Sequence, residues 1–305
     1  MLSQIAEAQD RVVSRSQLRT VGITRHRVRS EVRARRWTLL GPRVVVLHTG
    51  PLTRRQWWWV ATLHAGPRAA LHGHTAAEAA GLAGWERRPV HVLVPRGTHV
   101  PPMAGLIVHE SRRFGDEDLH PTVTPPRTRL PRAAVDAASV ERTARSACAL
   151  LAAVVQQRLA APAQLWAELE VAGAVRHHRW LRAAIEDIEG GSHSMAEIDF
   201  VRLCRRARLP LPERQAIRVD RAGRRRYLDA CWRRLDGRLV VAEVDGALHR
   251  LVSGWWDDML RQNEVALDRD AVVLRFPSVQ VRLAPEEVAD QIARALGLSA
   301  RTRHR

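Results

Sequence analysis

Three acidic residues near the carboxyl end of the chain are the side chains best suited to chemistry. Glu243 and Asp245 end an apolar run, residues 239–245, which predicts a strand buried on both faces. Residues two apart on a strand project to the same side, so these two carboxylates are expected to lie together. Asp229 lies in the preceding β-prone run, residues 227–233, which is expected to be the neighbouring strand.

Carboxylates at the end of an apolar strand need a positive partner, because an unpaired buried charge costs several kcal/mol. Asp229, Glu243 and Asp245 would offer three hard oxygen donors without a nearby thiol or histidine cluster. This donor set favours Mg²⁺ or Mn²⁺ over Zn²⁺. A structural interpretation stays open, since Asp245 with Gly246 also makes a good turn pair.

The elements around these acids complete a pattern. A helix is predicted from Met195 to Ala207, and two β-prone runs follow at 215–219 and 227–233 around a turn at 221–224. This order of elements resembles the PD-(D/E)XK nuclease superfamily: a helix, then a hairpin that carries an aspartate, then a strand with a Glu-x-Asp motif. The chain is more closely similar to the DUF559 domain, a relative of very-short-patch repair endonucleases, over about residues 192–297. The residues that carry this similarity are Glu243-Val244-Asp245-Gly246, His249, Trp256, Asp258, Arg261 and Val273-Leu274-Arg275-Phe276.

The resemblance implies a role for each matching residue. Asp229 and Glu243 would bind a metal ion that activates water, and Glu197 would be the additional acid found in many members. His249 would carry a proton or orient water, and Arg261 with Gln262 would contact the scissile phosphate.

One residue departs from the superfamily pattern. Asp245 stands where most members have lysine, and the chain contains no lysine at all. Asp245 is then either a further metal ligand or a sign that catalysis is weak or lost.

The first fifty residues predict a small helical domain with a β-hairpin. A short helix is expected over residues 3–8, Ser14 is expected to cap a helix that Gly22 stops, and Thr24 to cap a third. Two helices around a tight turn with glycine match a helix-turn-helix, and the runs 37–40 and 44–47 would form a wing.

The third helix would enter the major groove of DNA. The residues expected on its exposed side or at its cap are Thr24, Arg25, His26, Arg27, Arg29 and Arg33. A solvated arginine face is the alternative. Residues 3–50 resemble the amino-terminal domain of AbiEi-type antitoxins of type IV toxin–antitoxin systems, which implies DNA binding, autoregulation and a cognate toxin as a partner.

The middle of the chain indicates organisation more than chemistry. Strands are predicted at 90–94 and 106–110 and one long helix at about 131–159, and Trp57-Trp58-Trp59 predicts a core or interdomain contact. His72 and His74 could touch a metal, but no third ligand is near in sequence. We therefore predict an α+β chain of three parts: a winged helix (1–50), a mixed α/β, AbiEi-like middle with a helical connector (51–190) and a PD-(D/E)XK-like domain (191–305).

Composition limits the function classes. The net charge is +17 over 305 residues, and ten arginines against three acidic residues lie in residues 1–50, which favours a polyanionic partner. The three cysteines are too far apart for a zinc cluster and are expected to be buried thiols. No apolar run is long enough to span a membrane and no signal-peptide pattern opens the chain, so a cytoplasmic protein is expected.

Two functions remain. The first is a Mg²⁺- or Mn²⁺-dependent endonuclease that hydrolyses DNA phosphodiesters, with the winged domain supplying affinity. The second is an antitoxin-like transcriptional regulator whose nuclease fold no longer cuts. Oligomeric state, target sequence and the choice between DNA and RNA do not follow from the residues.

Overall fold

The chain divides into two compact units, Met1–Val140 and Glu141–Arg305. The computed structural model describes residues 1–189, 193–219, 225–234, 236–245 and 271–298. Of these, it describes only the backbone for residues 193–198, 213–219, 225–229, 245 and 271. The architecture is mixed α+β, as predicted, whereas the domain limits expected at residues 50 and 190 stay predictions.

Short helices and strands alternate in the first fifty residues. They are α1 (Leu2–Ala8), β1 (Val12–Ser14), α2 (Arg15–Thr20), α3 (Arg25–Arg33), β2 (Thr38–Leu40) and β3 (Val44–Val46). Both predicted caps are confirmed: the hydroxyl of Ser14 accepts from the backbone N–H of Gln17, and that of Thr24 from the backbone N–H of Arg27. Gly22, which lies in the left-handed region at φ 80°, separates α2 from α3.

The three strands form one antiparallel sheet in the order β1-β3-β2. Strand β1 was not predicted, because Val12 and Val13 are buried on opposite faces and leave no apolar–polar alternation to read. One face of the sheet packs on Leu18 and Val28 of the preceding helices. The other packs on Trp59 of helix α4 (Arg54–Ala65), so the tryptophan run contributes to this core.

A second sheet follows within the same unit. Its strands are β4 (Ala70–Leu71), β5 (Val90–Pro95) and β6 (Leu106–Ser111). Helices α4 and α5 (Gly73–Ala79) contact the sheet, and α6 (Leu130–Ser139) packs against α5. Strand β5 pairs antiparallel with β4 and parallel with β6. The two strands predicted here are confirmed, each one residue longer than expected.

The long helix predicted at 131–159 is wrong. The structure has two helices, α6 and α7 (Ala144–Gln156), and the division between the two units falls in the break between them. The hydroxyl of Thr143 accepts from the backbone N–H of Ser146 and starts α7 afresh. A capping residue inside an alanine-rich run therefore outweighs the helix propensity of its neighbours.

The second unit places helices around a mixed sheet. Its described elements after α7 are α8 (Pro162–Ala172), α9 (His178–Glu189), α10 (His193–Arg206), β7 (Glu213–Val219), β8 (Arg225–Arg233), β9 (Leu239–Asp245), β10 (Ala271–Pro277), α11 (Ser278–Leu283) and α12 (Pro285–Leu296). The strand order is β10-β9-β8-β7, with β10 parallel to β9 and the other pairs antiparallel. Strand β9 has the predicted bounds.

Alternate residues of this sheet build its core. Val240, Ala242 and Val244 of β9 pack with Leu274 of β10 and with Phe200 of α10. The three cysteines are buried free thiols, as predicted. None of the described helices combines the length and the hydropathy needed to cross a bilayer.

Candidate functional site

Helix α3 presents a basic face beside its buried side. Val28 and Glu31 are buried, whereas Arg25, His26, Arg29 and Arg33 are exposed. The amphipathic pattern of the helix produces this division, because the apolar side chain of Val28 packs in the core and the charged residues on the other sides then face solvent. The exposed residues predicted for DNA contact are therefore accessible.

Arg27 differs from the other predicted contact residues. Its guanidinium lies 2.6 Å from the carboxylate of Glu31, and Arg36 bonds the same carboxylate. The hydrogen bond from Arg36 is the main reason that the pKa of Glu31 lies below its ordinary value. Arg27 thus forms an ion pair within its own helix. Thr24 serves as the helix cap.

The antiparallel pair β8–β9 carries two of the predicted metal ligands. Ala230 pairs with Ala242. Asp229 comes directly before Ala230 on β8, and Glu243 comes directly after Ala242 on β9. Asp245 is the last residue of β9 and pairs with Pro277 of β10. Positions 229 and 243 therefore lie on adjacent strands, each one residue beyond the Ala230–Ala242 pair.

Glu243 already has a cationic neighbour. Arg275 stands opposite it in the parallel register of β9 and β10, and the Arg275 Nε donates to Glu243 Oε2 at 2.9 Å. The side chain of Glu243 is 30% exposed and that of Arg275 is 41% exposed, so the pair is partly exposed to solvent. Arg275 was part of the motif in the sequence, but no role was assigned to it, because strand register is not visible in sequence spacing.

Several predicted site residues lie outside what the structure describes. His249, Arg261 and Gln262 fall in residues 246–270, outside the described ranges. Asp229, Asp245 and Glu197 lie on described backbone, but their side chains are outside the description. Their roles stay predictions.

A different acid of helix α10 has well-defined contacts. Asp199 lies 3.4 Å from Arg282 Nε, and the same guanidinium bonds Asp187 at 2.6 Å. Ser278 donates a second bond, of 2.7 Å, to Asp187. Arg282 of α11 thus joins α9 and α10, the helix that carries Glu197.

The first unit assembles a histidine cluster that sequence reasoning only half anticipated. His72 and His74 are joined by His91 of β5 and His109 of β6, whose rings lie 5.2 Å apart and share a 2.9 Å hydrogen bond. The ring of His72 lies 4.8 Å from that of His109, and its Nδ1 is 3.6 Å from a carboxylate oxygen of Asp136. These contacts depend on which strands pair, so the spacing of the histidines gave no signal.

Burial favours the neutral imidazole at His72, His91 and His109. It lowers the pKa of His91 to about 4 and depresses the pKa of His72 and His109, with neighbouring histidines adding to the effect. Across the described part of the chain, no group of three or more His, Cys, Asp or Glu side chains has the arrangement of a metal site. Within the cluster His72 and His74 are buried, whereas His91 and His109 are half-buried and share the hydrogen bond.

Comparison of the chain with models of known protein families gave no match, and comparison with curated proteins gave no significant similarity.

Proposed function

We propose that the protein binds duplex DNA through its first unit and hydrolyses DNA phosphodiesters with Mg²⁺ or Mn²⁺ at the β8–β9 pair of its second unit. In this proposal residues 1–50 form a winged helix-turn-helix, and the sheet of the second unit has the PD-(D/E)XK fold. The register that makes Asp229 and Glu243 the next residues after the Ala230–Ala242 pair is the observation on which the enzymatic part depends.

DNA binding draws support from the order and chemistry of the front elements. A capped α2, a turn at Gly22 and a capped α3 precede the β2–β3 hairpin. Exposed arginines on α3 suit both phosphates and guanine edges in the major groove. In this arrangement α3 is the recognition helix and the hairpin is the wing.

The face of the sheet supports the metal centre. Val240, Ala242 and Val244 point into the core, so Glu243 lies on the opposite face of β9. In the proposal the antiparallel register continues by one more pair, so that position 229 shares this face. Carboxylate oxygens suit Mg²⁺ and Mn²⁺, and a metal ion bound there would polarise water and offset the charge that develops on the phosphate.

Arg275 has a defined part in this proposal. In the structure it neutralises Glu243, and a metal ion at Glu243 would release the guanidinium towards the phosphate. Arg275 would thus supply the cationic group that lysine supplies in most of the superfamily, while Asp245 occupies the lysine position.

Plasmid nicking tests the activity. The wild-type protein with Mg²⁺ or Mn²⁺ should nick supercoiled DNA, and Glu243→Gln should lower the rate by about a hundredfold or more. Asp236→Asn is the matched control, because Asp236 is an exposed acid that pairs with Arg234 in the β8–β9 connection. Equal nicking by wild type and Glu243→Gln would refute a catalytic role for Glu243.

A second function, a DNA-binding regulator that does not cut, is favoured by the Glu243–Arg275 ion pair. A permanent pair would occupy the carboxylate that the metal needs, and Asp245 in place of lysine points the same way. Footprinting on the DNA upstream of its own gene separates the two functions. Specific protection without cleavage in Mg²⁺ or Mn²⁺ would establish the regulator and exclude the nuclease.

A further inference from the structure

A cleft beside α3 concentrates positive charge. It has a volume of about 680 Å³ and lies where α2, the start of α3, the β2–β3 turn and the end of α4 meet. Arg15, Arg19, Arg25 and Arg43 line it, and we call it the arginine cleft. All these residues belong to the first unit.

The positive charges in the arginine cleft have no acidic partner there. Among the described residues that line it, none is acidic. Arg43 donates to the carbonyl oxygens of His64 at 2.9 Å and of His99 at 3.3 Å, and Arg15 donates to that of Pro42 at 3.3 Å. These bonds position the guanidinium groups and leave their charge uncompensated.

Three arginines of the unit outside the cleft each have an acidic partner. Arg54 pairs with Glu78 at 2.6 Å, Arg55 pairs with Asp10 at 2.7 Å, and Arg27 pairs with Glu31. A concave surface with one sign of charge concentrates the electrostatic potential and attracts the opposite charge. The arginine cleft therefore has the electrostatics of a site for an anion, whereas the pairs above do not.

The other residues that line the cleft limit the class of anion that it suits. Ile23, Val28, Leu63 and Pro67 supply apolar surface beside the arginines. A sugar–phosphate chain offers both an anionic group and an apolar sugar face at each step. Arg25 and Val28 belong to α3, so the cleft is continuous with the helix proposed to enter the major groove.

From these observations we infer that the arginine cleft binds the backbone of the DNA strand that borders the groove occupied by α3. This inference rests on the proposed DNA binding and adds α2 and the β2–β3 turn to the interface. Arg15, Arg19 and Arg43 then contact phosphates and contribute affinity without reading sequence.

The salt dependence of DNA binding tests the inference. In the double variant Arg15→Gln/Arg19→Gln, the affinity for duplex DNA should fall on the order of tenfold, and the slope of log K against log salt should become shallower by about two. Arg96→Gln/Arg112→Gln is the matched control, because both arginines are exposed on the first unit and lie outside the cleft. The control should leave the slope unchanged.

The outcomes distinguish a failure of this inference from a failure of the proposed DNA binding. If the wild type binds duplex DNA and both double variants behave alike, the arginine cleft is not a backbone site, although DNA binding stands. If the wild type binds no duplex even at low salt, the proposed DNA binding fails and the inference fails with it. Thermal stabilisation by inorganic pyrophosphate, with unchanged DNA affinity in the cleft variant, would assign the cleft to a free phosphate compound and overturn the inference.

Discussion

At the scale of single residues, Glu243 can be neutralised by either of two positive charges. Arg275 bonds it in the structure, and a divalent cation would compete for the same carboxylate. The pair is partly exposed, so its attraction is screened and amounts to about 0.2–1 kcal/mol. A metal ion held by several carboxylates can displace a pair of that strength.

Arg275→Met should therefore strengthen Mn²⁺ binding. Loss of a competing interaction of up to about 1 kcal/mol corresponds to at most about fivefold tighter binding. Electron paramagnetic resonance of free Mn²⁺ measures the change. Arg233→Met is the control, since Arg233 is an exposed arginine of the same sheet that bonds the carbonyl of Gly237. Mn²⁺ binding to Arg275→Met that is equal to or weaker than binding to the wild type would contradict competition between Arg275 and the metal ion for Glu243.

The histidine cluster makes a second prediction at this scale. An unfolded histidine binds a proton near pH 6.5, whereas burial in the folded protein lowers the pKa of His91 to about 4. The unfolded state thus binds more protons between these values. Stability from His91 is fully present above about pH 6.5 and is lost as the pH falls towards 4. His72 and His109 act in the same direction.

His91→Gln should weaken this pH dependence. Hydrogen–deuterium exchange of β5 and β6 at about pH 7 and about pH 5, corrected for the intrinsic exchange rate, measures local stability at both values. Wild type should lose protection at the lower pH, and His91→Gln should lose less. His99→Gln, which removes an exposed histidine of the same unit, should behave as wild type. Equal losses in His91→Gln and wild type would exclude the cluster as the cause.

At the scale of elements, Arg282 of α11 joins α9 and α10 through ion pairs. Its partner Asp187 is fully buried, and burial raises the pKa of that carboxyl even though Ser278 and Arg282 oppose the effect. The ion pair therefore serves chiefly to make a buried carboxylate tolerable. Through Asp199 the same guanidinium fixes α10, on which Glu197 lies.

Arg282→Met should destabilise the protein by about 3–5 kcal/mol, because it leaves Asp187 buried without its cation. Arg202→Met removes an arginine that contacts the same Asp199 from an exposed position, and it should cost less than about 0.5 kcal/mol. Urea denaturation measures both changes. Similar losses of unfolding free energy in the two variants would show that the buried Arg282–Asp187 pair contributes no more to stability than an exposed pair.

The elements that sequence predicted well share a local signal. Ser14 and Thr24 cap helices through their own side chains, and β9 begins with four consecutive apolar residues, 239–242, so each could be recognised from adjacent residues. The break between α6 and α7 was missed, because composition favoured one helix and Thr143 decided otherwise. Pairing between distant strands, which joins Arg275 to Glu243 and His91 to His109, has no counterpart in local sequence.

At the scale of the whole molecule, charge and fold divide the proposed work between two units. The net charge of +17 favours a polyanionic partner but does not distinguish one arginine from another. In the first unit the structure shows that Arg27 is paired with an acid, whereas no acid is among the described residues that line the arginine cleft. The second unit contributes the sheet on which Asp229 and Glu243 occupy adjacent strands.

In the proposed metal centre, Asp229 and Glu243 hold the same ion. A double-mutant cycle of Mn²⁺ affinity by calorimetry, with Asp229→Asn, Glu243→Gln and the double variant, tests this sharing. If the carboxylates share one ion, each single variant should weaken binding at least about tenfold, and the double variant should lose much less than the product of the two. Independent losses that simply multiply, or Mn²⁺ binding that neither substitution alters, would contradict a shared metal centre.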